Sequence, residues 1–200
     1  MVSRFSLKLA ALAVGGLFAA HAQAGDLPNG RYTIHPVSSG KCVDVAWAST
    51  KDGANIAQVG CNGNKAQVFD VVDTGSGWYK MINVNSGKAI DVAGASTADG
   101  ANVQQWTDNG TGAQRFAARV SNGNQFMLVN KTSGKCVDVA NASTNDGANI
   151  LQWSCWGGAN QRFTFSPVGT GPTGPISASG IDMQPGEVLN PGQSITSANG

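Results

Sequence analysis

Ser133-Gly134-Lys135-Cys136-Val137-Asp138-Val139 has two near-copies in this 200-residue chain, Ser86-Gly87-Lys88-Ala89-Ile90-Asp91-Val92 and Ser39-Gly40-Lys41-Cys42-Val43-Asp44-Val45. The offset is 47 residues both times, from Asp44 to Asp91 to Asp138. Later landmarks keep it: Asp52-Gly53-Ala54-Asn55, Asp99-Gly100-Ala101-Asn102 and Asp146-Gly147-Ala148-Asn149, then Gln67-Val68-Phe69, Gln114-Arg115-Phe116 and Gln161-Arg162-Phe163. Three in-register copies, with nothing at either end that reads as a cap, predict a closed pseudo-threefold object rather than an open solenoid.

Within the first copy, bulky and polar residues alternate over 30–37, which predicts a strand interrupted near Pro36. Ser38-Ser39-Gly40-Lys41 reads as a turn and 42–45 as a second strand. Alternation puts Val43 and Val45 on one face and Cys42 and Asp44 on the other, so the aspartate is expected on the face away from the core. Residues 46–53 read as a loop ending in the Asp52-Gly53 turn, 55–61 as a third strand and 67–71 as a short fourth. Four strands, three times over, without a helical pattern after the N-terminal segment, predict an all-β domain. Threefold repetition of four-stranded units points to a β-trefoil over residues 27–167.

The flanks read differently. Arg4 and Lys8 precede an apolar run over 9–20 and the small-residue site Ala22-Gln23-Ala24, the pattern of a secretory signal peptide over 1–24. About 12 apolar residues fall short of the ~20 that a spanning helix needs, so the mature chain is expected to begin near Gly25 without a membrane span. Residues 168–180 form a Gly/Pro/Ser/Thr linker. Beyond it, Gly186-Glu187-Val188-Leu189-Asn190-Pro191-Gly192-Gln193-Ser194-Ile195-Thr196-Ser197, within the tail 181–200, resembles the opening strand of bulb-type mannose-binding lectin domains and suggests a further domain after Gly200.

Of 13 basic side chains, two lie in the signal segment, which leaves 11 against 12 acidic ones. No basic patch marks a nucleic-acid partner. Low charge with abundant Gly, Asn, Ser and Thr suits neutral, hydroxyl-rich partners. The four cysteines, Cys42, Cys61, Cys136 and Cys155, fall in the first and third repeats, while the second has Ala89 and Asp108 at both places. Four cysteines allow three connectivities, and loss of both members together favours Cys42–Cys61 and Cys136–Cys155. Zinc is disfavoured by the spacing and by His35 being the only histidine of the mature chain. An oxidising compartment, extracellular or periplasmic, agrees with the signal peptide.

Gly-Lys-Cys-Val-Asp-Val, then Asp-Gly-Ala-Asn, then a closing Gln-x-aromatic, three times over about 30–165, resembles the ricin B-chain-type lectin domain, also called the family 13 carbohydrate-binding modules. That resemblance implies a lectin in which the strand aspartate accepts hydrogen bonds from two sugar hydroxyls, an aromatic ring stacks on the sugar's C–H face, and an asparagine before the closing glutamine completes the contacts. Phenylalanine stands here for the family's usual closing tryptophan. An ionised carboxylate is a natural acceptor for vicinal hydroxyls, and a ring supplies the apolar half of recognition.

Carried over repeat by repeat, the roles separate the lobes. The third has Asp138, Trp153, Asn160 and a supporting Gln161, although Leu151 replaces a glutamine often found before the ring. The second has Asp91, Gln104, Trp106 and Gln114, with Ala113 in place of the asparagine. In the first, Asp44 and Gln67 remain, but Val59 and Ala66 replace ring and asparagine, so only weak binding is expected at Asp44. Trp47 and Trp156 read equally well as ring or as surface cover. Gln58, Gln105 and Gln152 are expected to be buried amides bonded to backbone, and Asp52, Asp99 and Asp146 to be turn residues.

No catalytic residue, metal or cofactor is indicated. His35 has no apparent nucleophile beside it, and three symmetry-related aspartates stand too far apart for paired acid–base work. The expected function is a secreted carbohydrate-binding module for galactose- or xylose-type sugars in glycans or polysaccharides. The alternatives are a targeting module of a larger glycoside hydrolase and a protein-binding trefoil, such as an inhibitor or toxin subunit.

Overall fold

The computed structural model describes residues 27–169; the expected signal peptide, most of the linker and the tail lie outside them. Twelve strands follow one another: β1 (Gly30–Pro36), β2 (Cys42–Val45), β3 (Ile56–Val59), β4 (Val68–Asp73), β5 (Tyr79–Asn83), β6 (Ala89–Val92), β7 (Val103–Trp106), β8 (Phe116–Asn122), β9 (Gln125–Asn130), β10 (Cys136–Val139), β11 (Ala148–Trp153) and β12 (Phe163–Pro167). Six of them close a ring of antiparallel pairs, β1–β4–β5–β8–β9–β12 and back to β1. The other six form three hairpins, β2–β3, β6–β7 and β10–β11. A barrel closed by three hairpins is the β-trefoil that the 47-residue period predicts, and ring closure leaves the barrel without an open edge.

Each lobe supplies the same buried residues to the core. Ile34, Met81 and Leu128 form one trio, and Val45, Val92 and Val139 another. Ile56, Val103 and Ile150 follow, then Phe69, Phe116 and Phe163. The closing phenylalanines are thus core residues, one per lobe. A void of only about 10 Å³ remains between the trios, so the axis is packed and holds no ligand.

Some local expectations need correction. The third strand of the first lobe is shorter than 55–61, and 67–71 shifts to Val68–Asp73, because Lys65–Gln67 forms a single 3-10 turn with Asn64 accepting from the Ala66 N–H. β1 runs unbroken to Pro36, which ends it. The expected loop 46–53 opens with another 3-10 turn, Ala46–Ala48, repeated at Ala93–Ala95 and Ala140–Ala142.

The buried glutamines join neighbouring lobes. Gln105 Nε2 donates to the carbonyls of Ser49 and Lys51, Gln152 to those of Ser96 and Ala98, and Gln58 to those of Ser143 and Asn145. Each accepts a serine hydroxyl from its own lobe in return: Ser86, Ser133 and Ser39. On the pseudo-threefold axis, Asn55, Asn102 and Asn149 form a cyclic ring, each Nδ2 donating to the next Oδ1 at 2.8–2.9 Å. Asp52, Asp99 and Asp146 reach across the same seams to Lys88, Lys135 and Lys41. What reads locally as a set of turn residues is the clasp between lobes.

Candidate functional site

In the third lobe the β10–β11 register pairs Asp138 with Leu151 and Cys136 with Trp153, so Asp138 and the tryptophan lie diagonally on one face of the hairpin. The Ala159–Gln161 turn folds back over that face, and Asn160 Nδ2 donates to Asp138 Oδ1 at 2.9 Å while Gln161 Nε2 donates to Oδ2 at 2.7 Å. Asp138 does lie on the face away from the core, yet it is only 5% exposed, because this turn covers it. Burial pushes its carboxyl pKa up, partly offset by hydrogen bonds from Gln161, Asn160 and the Trp156 side chain. An acceptor with fixed donors on its protein side needs no rearrangement to meet a ligand.

Around Asp138 opens a cavity of about 260 Å³, lined by Asn141, Leu151, Trp153, Trp156 and Asn160 among others. Trp153 is 45% exposed and offers a ring as one wall. Trp156, 64% exposed, is the other ring of the pocket as well as a donor to Asp138. A Cβ on Gly158 would fall 2.1 Å from the Trp156 ring, so only glycine lets the indole lie there. Sequence reasoning leaves Trp156 undecided; its place beside Cys155 was the one available signal.

The second lobe repeats the plan with different donors. Asp91 accepts from Gln104 Nε2 at 3.1 Å and from the Gln114 side chain, and burial again raises its pKa. Its cavity, about 290 Å³, is lined by Asp91, Gln104, Trp106, Asn109, Thr111 and Ala113 among others. Asn109 stands where the third lobe has Trp156, and Ala113 where it has Asn160. In the first lobe Asp44 is buried and bonded by Gln67, with its pKa raised by burial, but Val59 and Ala66 supply neither ring nor amide.

The closing glutamines stand behind the aspartates. Gln161 is fully buried, with both amide hydrogens taken by Asp138 and the Ser154 carbonyl and its oxygen accepting from the Trp156 and Gly157 N–H groups. Gln114 likewise spans the Thr107 carbonyl and the Asn109 N–H. Both position the carboxylate and line neither cavity. The rings, in turn, lean on the preceding lobe: a Cβ on Gly100 would come within 3.6 Å of Trp153 Cζ3, and one on Gly53 within 3.7 Å of Trp106 Cζ3. Each pocket is therefore shaped by two lobes.

Both disulfides join the cysteines that paired loss indicates, Cys42–Cys61 and Cys136–Cys155. His35 lies close to the first, with Nδ1 3.7 Å from each sulfur, and its Nε2 is 2.8 Å from Thr33 Oγ1. The three side chains cluster as metal ligands would, but sulfurs joined in a disulfide offer no thiolate.

A sequence profile described as ricin-type beta-trefoil lectin domain-like matches residues 19–106 and 112–181. The chain belongs to that family. No curated protein matches it. Among solved structures, the designed threefold-symmetric protein ThreeFoil shares 44% identity over 70% of this chain and all of its own, with a TM-score of 0.69. An exo-β-1,3-galactanase from Clostridium thermocellum shares 37% identity with a TM-score of 0.68; 70% of this lectin-family chain aligns with 30% of that enzyme. The Macrolepiota procera ricin B-like lectin, solved in complex with lactose, shares the fold at 20% identity, covering 72% of this chain and 99% of its own with a TM-score of 0.60.

Proposed function

We propose that this chain is a secreted carbohydrate-binding module that holds galactose- or xylose-type sugars in unequal pockets on its third and second lobes. The observation that carries this reading is the convergence of a braced acceptor, Asp138, an amide, Asn160, and two indole rings, Trp153 and Trp156, on one open cavity. A pyranose has two matching surfaces, a hydroxyl edge for the carboxylate and a C–H face for a ring. In the second lobe Asp91, Gln104 and Trp106 form the same pair of surfaces with one ring fewer. Shallow sites of this kind bind weakly one at a time, at about millimolar dissociation constants (roughly −4 kcal/mol). Two sites on one chain gain by avidity on a polymer.

Secretion is supported by the signal-like segment 1–24 and agrees with the two disulfides. Residues 168–180 would then link the module to whatever begins in the tail 181–200. A second reading, a targeting module of a larger secreted glycoside hydrolase, is favoured by one finding: the galactanase aligns with this chain over 30% of its length, so a trefoil of this kind occurs there beside further protein.

The test is a glycan array probed with the mature chain and with Trp153→Ala and Asp138→Ala. Both substitutions should remove most of the signal on β-galactosides or xylans. Unchanged signal with both variants would overturn the site assignment, and no signal from the wild-type chain on any glycan would overturn the function.

A further inference from the structure

The first lobe has an aspartate like the others but no hairpin ring, since Val59 stands where Trp106 and Trp153 do. On the opposite rim the lobes differ the other way. Gly94 and Asn141, in the 3-10 turns after β6 and β10, line the second and third cavities, and the residue at their position in the first lobe is Trp47. Trp47 is 98% exposed and adopts φ 59. The turn imposes this left-handed backbone in all three lobes, with φ 63 at Gly94 and 57 at Asn141. Glycine and asparagine tolerate it, whereas a tryptophan there is strained and, in open water, gains nothing by packing. A residue that costs the fold on both counts marks a surface with another use.

Asp44 supplies the other half of that use. It is buried on β2, which packs against the Lys65–Gln67 turn as β6 and β10 pack against the turns that hold Gln114 and Gln161. We propose that the first lobe is a third sugar site, in which Asp44 accepts hydroxyls and Trp47 supplies the stacking ring from the turn rim instead of from the hairpin. The ligand class is a neutral pyranose unit of an oligosaccharide. With the ring on the opposite wall, the sugar turns its C–H face the other way from its counterparts in the second and third lobes. This inference rests on the lectin reading above and revises the weak role expected for Asp44.

The test uses the mature chain with Asp91→Ala and Asp138→Ala combined, which disables the other two pockets. Oligosaccharide bound by the wild-type chain is titrated in while the Trp47 indole N–H resonance is followed by NMR. The double variant should still bind and shift that resonance. Adding Trp47→Ala or Asp44→Ala should weaken the remaining binding about ten-fold or more, whereas Trp47→Phe should keep it within about three-fold. Cooperative thermal unfolding of each variant controls for folding.

No residual binding by the double variant, with the wild type still binding, would overturn the third site and leave the lectin reading standing. Equal binding by Trp47→Ala and Trp47→Phe would overturn the role of the ring. Loss on Trp47→Ala but not on Asp44→Ala would show a sugar held by the ring without the aspartate and would also overturn the proposed pocket. A wild-type chain that binds no glycan fails the underlying reading itself.

Discussion

Asp138 is an anion held just beneath the surface by three protein donors, and its titration should report on the pocket. Its pKa lies above the ordinary value of 3.8, as do those of Asp91 and Asp44, with burial the leading cause. A raised carboxyl pKa means that the native state takes up the proton more readily than the unfolded chain. Its contribution to stability is therefore full below 3.8 and lost as pH rises through the raised value. Sugar binding needs the ionised acceptor and runs the other way. Affinity should be flat at neutral pH and fall on acidification, with a midpoint above 3.8, the Asp138 side-chain carbon shift following the same midpoint by NMR.

Trp47 gives a second prediction at this scale. Trp47→Gly places in the first lobe the residue that the second lobe has at Gly94, so it should raise unfolding stability by about 1 kcal/mol in a denaturant titration, through relief of left-handed strain. A loss of stability of that size would show that the exposed ring packs in solution.

At the scale of elements, the hairpins hold the aspartates while the seams between lobes shape the pockets. Gln152 is fully buried, and it satisfies the carbonyls of Ser96 and Ala98 and accepts from Ser133. Gln152→Ala should cost about 2–4 kcal/mol by denaturant unfolding, since it orphans two carbonyls and a hydroxyl and leaves a cavity. Gly100→Ala should combine backbone strain at φ 80 with a new Cβ in van der Waals contact with the Trp153 ring. Binding at the third lobe should weaken more than at the second in the same NMR titration; equal weakening would contradict the idea that the seam sets the ring.

The hairpins were largely legible in the sequence, because alternation in Cys136-Val137-Asp138-Val139 fixes which side chains share a face. The seams were not. Gln152 could be read as a buried amide, but its partners are 54 and 56 residues away and no local pattern encodes them. The covering turn also escaped, since Asn160 read as a sugar contact and Gln161 as its support before the turn that carries them read as a roof over Asp138. Trp156 was ambiguous because its role depends on Gly158 lying flat beneath the ring, a contact that adjacency alone does not reveal.

For the molecule as a whole, the threefold period dictated a closed barrel with three equivalent rims, and differences between the copies made those rims unequal. The disulfides fasten the first and third lobes only, each closing a loop with a sequence separation of 19. On the chain-entropy account each contributes roughly 3 kcal/mol, so reduction of both should lower stability by about 4–6 kcal/mol, measured as the change in denaturant midpoint under dithiothreitol. The second lobe has instead Lys80 paired with Asp108, at the place of the missing cysteine. Weak pockets on separate lobes of one molecule would suit a polymer with repeated units better than a single terminal sugar.

The central claim, that sugar is held between the strand aspartate and the hairpin tryptophan, is tested most directly by a heteronuclear NMR titration of the mature chain with galacto- and xylo-oligosaccharides. The account predicts saturable shifts of the Trp153 and Trp156 indole N–H and Asn160 side-chain amide signals, then of Trp106 at higher concentration. The Asp138→Ala variant should lose the first set only. Saturable binding that leaves all of these signals unmoved would contradict it.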